Sequence, residues 1–597
     1  MQKKLKTNII MDIKNNQFYT VERSQQILIA LLKKHGIKKV IASPGTANMT
    51  LVLSMQHDGF FEMYSSVDER SAAYMACGLS GESGEPVVIA CTEATASRNY
   101  MPGLTEAFYR KLPIVAITGN HGENKIGNLC AQVIDRRSIP NDVSMVSVNI
   151  PKCKDIQDEQ KVTFDINKAL LGLKHHGGGP VHINIETTNT NDFSVKKLPE
   201  VRAIDRITAL SNLPTLPKGR IGIFVGAHKK WSEQETRTVD GFCKSNNAVV
   251  FCDHTSNYKG KYAIHYALIG TQESYVTDLN QMDLLIRIGE VSGEYYSYGL
   301  RGKEEWRVSE DGELRDFNGT LTKEFEMPEK DFFSSYITEG VNEEYYHACT
   351  EAYNEILCKI SEETIPFSNI WIASVASKRI PDNSVLHVGI LQSLRAYNYF
   401  SLPANVDFNC NVGGFGIDGC MSTLIGASLA NSQKTYFGVF GDLSFFYDMN
   451  VLGNHHIGTN VRIMLINNGR GQEFRNYTHP AAIFGNDADK FVAAGGHFGN
   501  MSKELVRDYA VDLGFEYLSA SSKEEFKSAC AHFFNGEQKD KSIILEVFTD
   551  TQSENDAHSL FRHLVNNKTM VDEIKEKLKG ALSDNLKSQI KKIIKKS

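Results

Sequence analysis

Asp442, in KTYFGVFGDLSFFYDMN, follows a glycine at the end of an apolar run. Asn468, 26 residues later, is the second of two asparagines closing another apolar run, VRIMLINNGRG. That interval holds a turn, one helix (FFYDMNVLGNHHI) and one strand, so both groups emerge at the carboxyl edge of a parallel sheet, where open α/β folds bind ligands. An acid, an Asn pair and a loop with free carbonyls make a hard-cation site, because Mg²⁺ takes oxygen ligands in near-octahedral geometry and shares them with phosphates. The glycines of FGD and NNGRG let backbone approach a ligand closely. The pattern points to a diphosphate held through a metal. Asp and Asn are also ordinary turn residues after strands, so the assignment needs the rest of the chain.

The elements that must position these groups alternate along most of the 597 residues. VERSQQILIALLKKHG and ERSAAYMACGLSGESG carry helical periodicity. IKKVIASPG, PVVIACT, LPIVAIT and GPVHINIE read as strands. A linker, ALSNLPTLPKG, precedes a second set (RIGIFVG, NAVVFCD, MDLLIRIG, EWRVSED), and a third begins near residue 367 with SVLHVG, KTYFGVFGD, VRIMLINN and KSIILEVF. Repeated strand–helix units imply parallel sheets covered on both faces. The expected fold class is α/β, with three doubly wound parallel-sheet domains at 1–195, 196–355 and 356–557. A basic helical tail at 558–597 carries an apolar stripe of Ile574, Leu578, Leu582, Leu586 and Ile590. It reads as a helix packed on its own protein or solvated, with a membrane-surface or partner role as the alternative.

Composition excludes more than it assigns. A net charge of −6 demands no nucleic-acid partner. Eleven cysteines without a C-x-x-C pair signal neither a zinc knuckle nor a redox pair, and fit reduced thiols in the cytoplasm. No apolar run approaches the roughly 20 residues that span a bilayer, and the N-terminal MQKKLKTNIIMDIKNN is a poor signal peptide.

GDLSFFYDMN…INNG resembles the cofactor motif of the thiamin diphosphate (ThDP)-dependent decarboxylase and carboligase superfamily. IASPGT, VDERSAAYMACGLSGESGEPVVIACT, NVGGFGIDGCMSTLIGASLA and GPVHINIE resemble, in order, further segments of its branch of 2-succinyl-5-enolpyruvyl-6-hydroxy-3-cyclohexene-1-carboxylate synthases of menaquinone biosynthesis. The likeness spans about residues 20–555, weaker in the middle. It implies a pyrimidine domain, a middle domain and a diphosphate domain, with ThDP and Mg²⁺ as cofactors. It implies Mg²⁺ ligation by Asp442, Asn468 and the Arg470 carbonyl. Cofactor contacts would come from Glu69, Phe415, Ile417, Gly441, Asp442, Leu443, Ser444, Asn468, Arg470 and Phe474. Ile417 would wedge the cofactor into its bent form, and Glu69 would hydrogen-bond the pyrimidine nitrogen. The resemblance also implies a homodimer or homotetramer.

The match breaks where substrates would lie. The synthase branch handles two dicarboxylates, 2-oxoglutarate and isochorismate, for which Arg forks are suited. Here its Arg positions carry Ala47 in SPGTAN, His121 in TGNHGEN and Val412 in NVGG, and a Lys-Arg pair is replaced near SGEYYS. Glu93 and Arg98 stand in a run of normally small residues, and Glu473 stands where the branch has Ile. Arg395 and Gln132 match. Thr46, Glu93 and Arg395 are therefore expected to contact substrate, and His121, Gln132 and Glu473, with Glu69, to act in proton transfer. The expected activity is transfer of an acyl unit from a 2-oxo acid to a carbonyl or alkene acceptor other than isochorismate, since added carboxylates disfavour an anionic acceptor. The alternatives are the synthase itself, a simple 2-oxo acid decarboxylase and a non-catalytic scaffold.

Overall fold

The computed structural model describes residues 18–109, 111–497, 501–535 and 540–567. The N-terminal stretch and the tail stripe from Ile574 to Ile590 lie outside them. The chain divides into two compact units, Met1–Thr208 with Asp311–Glu326, and Ala209–Glu310 with Met327–Ser597.

The first unit holds six parallel strands: β1 (Lys39–Ala42), β2 (Glu62–Ser65), β3 (Val87–Cys91), β4 (Ile114–Asn120), β5 (Val146–Ile150) and β6 (Val181–Glu186). Their order is β2-β1-β3-β4-β6-β5. Every residue of β3 is buried, as expected for a strand covered on both faces, and this is why its sequence is a continuous apolar run. The edge strands β2 (EMYS) and β5 (VSVNI) are mostly exposed or half-buried. They lack that run, and sequence periodicity misses them. The helix Glu69–Ser83 is capped by Asp68, which accepts the Arg70 N–H at 3.1 Å and the Ser71 hydroxyl at 2.9 Å. It ends at Gly84, whose φ of 68° is the left-handed C-terminal conformation that glycine favours. The unit continues into β7 (Asp205–Ile207).

In the second unit, β8 (Ile221–Val225), β9 (Ala248–Cys252), β10 (Ala263–His265), β11 (Gln281–Ile288) and β12 (Arg301–Ser309) run in the order β10-β9-β8-β11-β12, each pairing parallel. β13 (Leu321–Glu326), in the first unit, pairs in parallel with β7. The last sheet comprises β14 (Val385–Val388), β15 (Asp407–Cys410), β16 (Tyr436–Gly441), β17 (Val461–Asn467), β18 (Glu516–Ala520) and β19 (Ile543–Phe548), all parallel, in the order β15-β14-β16-β17-β19-β18. Read in chain order, this is the topology of the first sheet repeated. β16 corresponds to β3, and β17 to β4.

Trp371, Tyr397, Tyr399, Phe437, Phe526 and Phe533 are buried in one core beside this last sheet. Each contributes roughly 1.5–3 kcal/mol of burial. The helix expected after Asp442 is shorter than its pattern. It spans Asp442–Asp448 and passes into a 3₁₀ turn at Met449–Gly453. Asn450, Gly453 and Asn454 favour ending it. Asp448 is also committed to the neighbouring helix Cys420–Ala430, accepting the Ser422 N–H and hydroxyl at 2.6 Å each.

Candidate active site

Two sets of the residues expected to be functional stand on the carboxyl edges of the two six-stranded sheets. In the second unit, β16 ends at Gly441, where a Cβ would meet nothing within 4 Å, so the backbone is open to a ligand. Asp442 follows, 5% exposed, with Oδ1 accepting the Leu443 N–H at 2.7 Å. Burial pushes its carboxyl up to about 6, against the pull of the Leu443, Gly469 and Arg470 N–H groups.

The two asparagines closing β17 divide the work. Asn467 is structural: its amide donates to Glu546 at 2.7 Å, and its Oδ1 accepts the Gly469 N–H at 3.2 Å, shaping the turn. The Asn468 Oδ1 is buried with no hydrogen-bond partner. Leaving an acceptor so placed costs about 1–3 kcal/mol, and a cation would satisfy it. The donor set thus fits Mg²⁺, and Gly441 leaves room for the diphosphate beside it. Ser444 donates to the Ile417 carbonyl at 2.7 Å, fixing the FGIDG loop over the same edge. Phe415, in that loop, holds φ at 53°, unusual for a residue with a side chain. Leu443 is half-buried, and Phe474 packs edge-on to His479 at 5.2 Å. The Arg470 side chain pairs with Asp489 at 2.5 Å.

Arg395, expected to meet a substrate carboxylate, is already paired. Its guanidinium grips Glu473 at 3.1 and 3.3 Å, and Gln392 and Asn476 donate to the same carboxylate at 3.0 and 3.3 Å. The Tyr295 ring lies 6.0 Å from the guanidinium. Glu294, from the same SGEYYS stretch, is 2% exposed and accepts from the Tyr296 N–H and the Asn398 amide. Burial raises its carboxyl to about 7. A carboxyl and tyrosines thus stand where the resemblance places a Lys-Arg pair.

In the first unit, Glu69 opens its helix half-buried, with Asn99 donating to its Oε2 at 3.3 Å. The SPGTAN loop is clamped onto the sheet. A Cβ on Gly45 would meet Thr92 at 2.3 Å, and one on Gly119 would meet the Ala47 carbonyl at 2.2 Å. Ala47 points inward, 3% exposed, while Thr46 is exposed.

Glu93, just past β3, is 3% exposed, and neither carboxylate oxygen has a hydrogen-bond partner. His121, just past β4, places Nε2 at 3.8 Å from it. Burial raises the Glu93 carboxyl, and the His121 and Arg136 charges counter this. Arg136 carries no sequence signal that separates it from the adjacent Arg137. It is 3% exposed, donating to the Gly119 carbonyl at 2.5 Å, with Nε and Nη1 unpartnered. Gln132 and Arg98 are exposed, and Arg98 donates to the Asp135 carbonyl. The structure therefore groups Glu93 with His121, and Arg395 with Glu473, whereas Gln132 stands exposed.

The described residues include no helix long and apolar enough to cross a membrane. A family described as thiamine pyrophosphate enzyme, N-terminal TPP binding domain, matches residues 23–140. Three curated relatives are each named 2-succinyl-5-enolpyruvyl-6-hydroxy-3-cyclohexene-1-carboxylate synthase. The one from Bacteroides thetaiotaomicron is 32% identical over 89% of this chain and 97% of its own length. Those from Bacteroides fragilis (31%; 89% and 97%) and Phocaeicola vulgatus (30%; 92% and 100%) are as similar. With that identity over nearly the whole of both chains, this chain belongs to the thiamin diphosphate-dependent enzymes that make or break carbon–carbon bonds.

Proposed function

We propose that this enzyme decarboxylates a 2-oxo acid with ThDP and Mg²⁺ and passes the remaining acyl unit to an acceptor. The observation that carries this reading is the orphaned Asn468 Oδ1 beside buried Asp442 at one sheet edge, a donor set suited to the metal of a bound diphosphate. ThDP, when bound, supplies the electron sink for loss of CO₂. Asp442, Asn468 and the Arg470 carbonyl hold the metal. Ile417 and Phe415 shape the cofactor's seat, with Gly441, Leu443, Ser444 and Phe474 around it. Glu69, steadied by Asn99, would hold the cofactor's pyrimidine ring through a hydrogen bond to its nitrogen. The enzyme works as a homodimer or homotetramer. Exposed Ile483, Phe484 and Phe491 on the second unit, and Val67 and Leu129 on the first, supply apolar surface for a second copy.

For the substrates, the relatives' shared name supports synthesis of 2-succinyl-5-enolpyruvyl-6-hydroxy-3-cyclohexene-1-carboxylate from 2-oxoglutarate and isochorismate, and over the full length this reading has the stronger support. A specific observation favours a second reading, a less anionic acceptor such as a sugar or aldehyde: Arg395 is neutralised by Glu473, and Glu294 and Glu93 add carboxyls rather than cations. Purified enzyme with ThDP and Mg²⁺ decides between them. Product from 2-oxoglutarate plus isochorismate establishes the synthase. CO₂ release from a 2-oxo acid, coupled only to neutral carbonyl acceptors, establishes the second reading. Aldehyde formation without any acceptor would point to a simple decarboxylase.

A further inference from the structure

Resting on that reading, we propose that Glu93 and His121 deliver the proton that the acceptor takes up as it is acylated, with Arg136 as a positioning residue. Decarboxylating transfer consumes one proton. The 2-oxo carboxylate loses CO₂, and the electron pair left behind forms the new C–C bond. The acceptor's π pair moves to oxygen in a carbonyl, or to carbon in an alkene, and must be protonated there. Some group at the edge has to carry that proton.

Glu93 is placed for it. It follows β3, as Asp442 follows β16, and His121 follows β4, as Asn468 follows β17. The repeated topology thus puts this pair at the ligand-binding edge of the first sheet. Glu93 is 3% exposed, and both its oxygens lack hydrogen-bond partners. A buried polar group left in that state calls for a ligand or a function. The Ala94 that follows holds φ 51° and ψ −123°, a conformation rarely adopted by residues with side chains, which fixes the direction of the Glu93 backbone.

Supply from solvent runs through His121. Its side chain is 22% exposed, with Nε2 at 3.8 Å from Glu93 Oε2 and 3.4 Å from the Asn189 amide. Burial favours the protonated carboxyl. The charged groups facing it are His121, Arg136 and Lys125. Arg136 is braced by the Gly119 carbonyl, and its Nε and Nη1 remain unpartnered. Glu93 gives its proton to the acceptor and regains one from solvent, relayed through the His121 imidazole.

The test compares two readouts on the same protein. Reduction of an indophenol dye with pyruvate or 2-oxoglutarate reports decarboxylation without an acceptor. Product formation with glyceraldehyde or isochorismate reports the coupled reaction. Glu93→Gln should lower product formation at least about 100-fold further than dye reduction, and should abolish the alkaline limb of the product pH profile. Glu93→Asp, which keeps the carboxyl, should recover part of the loss. His121→Asn should show a smaller defect, relieved by added imidazole. Equal losses in both readouts, or an alkaline limb that persists in Glu93→Gln, would overturn the assignment. A wild-type enzyme that reduces no dye and forms no product would instead overturn the proposed function, and the proton role with it. Infrared difference spectra of wild type against Glu93→Gln add a substrate-independent check. They should contain a buried protonated carboxyl at neutral pH, and its absence counts against the proposal.

Discussion

Replacing Glu473 by Gln tests whether Arg395, expected to meet a substrate carboxylate, is masked. Glu473 accepts four hydrogen bonds, two from Arg395, one from Gln392 and one from Asn476. The side chains of Arg395 and Glu473 are 11% and 22% exposed. Burial alone lowers the guanidinium's affinity for its proton, and the Glu473 carboxylate more than restores it. Gln keeps the shape and one acceptor oxygen but removes the charge. Removing one partner of a fully buried pair costs about 3–5 kcal/mol. Glu473 is partly wet and Gln still accepts, so roughly 2 kcal/mol is expected, read as a lower unfolding midpoint. The freed guanidinium then seeks an anion. A 2-oxo acid with a second carboxylate can supply it, and a charge-assisted bond is worth about 1.5–3 kcal/mol, or roughly 10- to 100-fold. The ratio of kcat/KM for 2-oxoglutarate to that for pyruvate, measured by dye reduction, should rise by that factor in Glu473→Gln. An unchanged ratio would refute the reasoning, because Arg395 would then not face the donor. A wild type that already couples 2-oxoglutarate to isochorismate efficiently would mean that the pair opens during turnover and masks nothing.

Asn468→Ala and Asp442→Asn should each weaken Mg²⁺-dependent ThDP binding by at least tenfold in calorimetric titration; binding unaltered by both would remove the metal assignment. Glu69→Gln should retain ThDP binding and lose at least about 100-fold in dye reduction, whereas equal loss of binding would limit Glu69 to holding the cofactor or its own helix start. Glu554 is fully buried, accepts from the Asn369 N–H at 3.0 Å and Thr549 at 2.8 Å, and burial raises it to about 7. Its folded pKa lies above the unfolded 4.5, so its stabilising effect is complete below about 4.5 and is lost as pH rises to about 7. Glu554→Gln should remove roughly 3 kcal/mol of that pH dependence, and denaturant curves at pH 5 and 7.5 with equal slopes of stability for both proteins would contradict it. Phe491→Asp, at a side chain 87% exposed, should shift the protein toward monomer in sedimentation and reduce activity; an unchanged assembly would place the interface elsewhere.

The legible parts of this protein are those where one residue type has one physical use. β3, β4, β16 and β17 read as strands because burial on both faces makes their runs predominantly apolar. The turn glycines and the acid after β16 read as a cofactor edge because close backbone approach and oxygen donors have few other purposes there. Edge strands such as β2 were illegible because half-wet strands tolerate any polar residue. The division of labour between Asn467 and Asn468 was illegible too, since it depends on Glu546, 78 residues beyond Asn468 and one strand over. Arg136 looked like its exposed neighbour Arg137, and only the packing of the loop against Gly119 buries it.

Charge counting along the chain has the same weakness. It treats Arg395 as a cation offered to substrate and Glu473 as an added repulsion, when the two meet and cancel. What matters for substrate choice is the set of charges left after internal pairing. At the second unit's edge that set is close to neutral. In the first unit it contains a carboxyl, Glu93, buried with no hydrogen-bond partner, and a guanidinium, Arg136, with donors to spare. A site holding one uncommitted cation beside a carboxyl that burial drives toward its protonated form does not select a dicarboxylate by attraction alone. It selects by where each group can form its missing hydrogen bonds, and that is why the acceptor's hydroxyls and carbonyls, rather than its net charge, are the features to vary in a substrate screen.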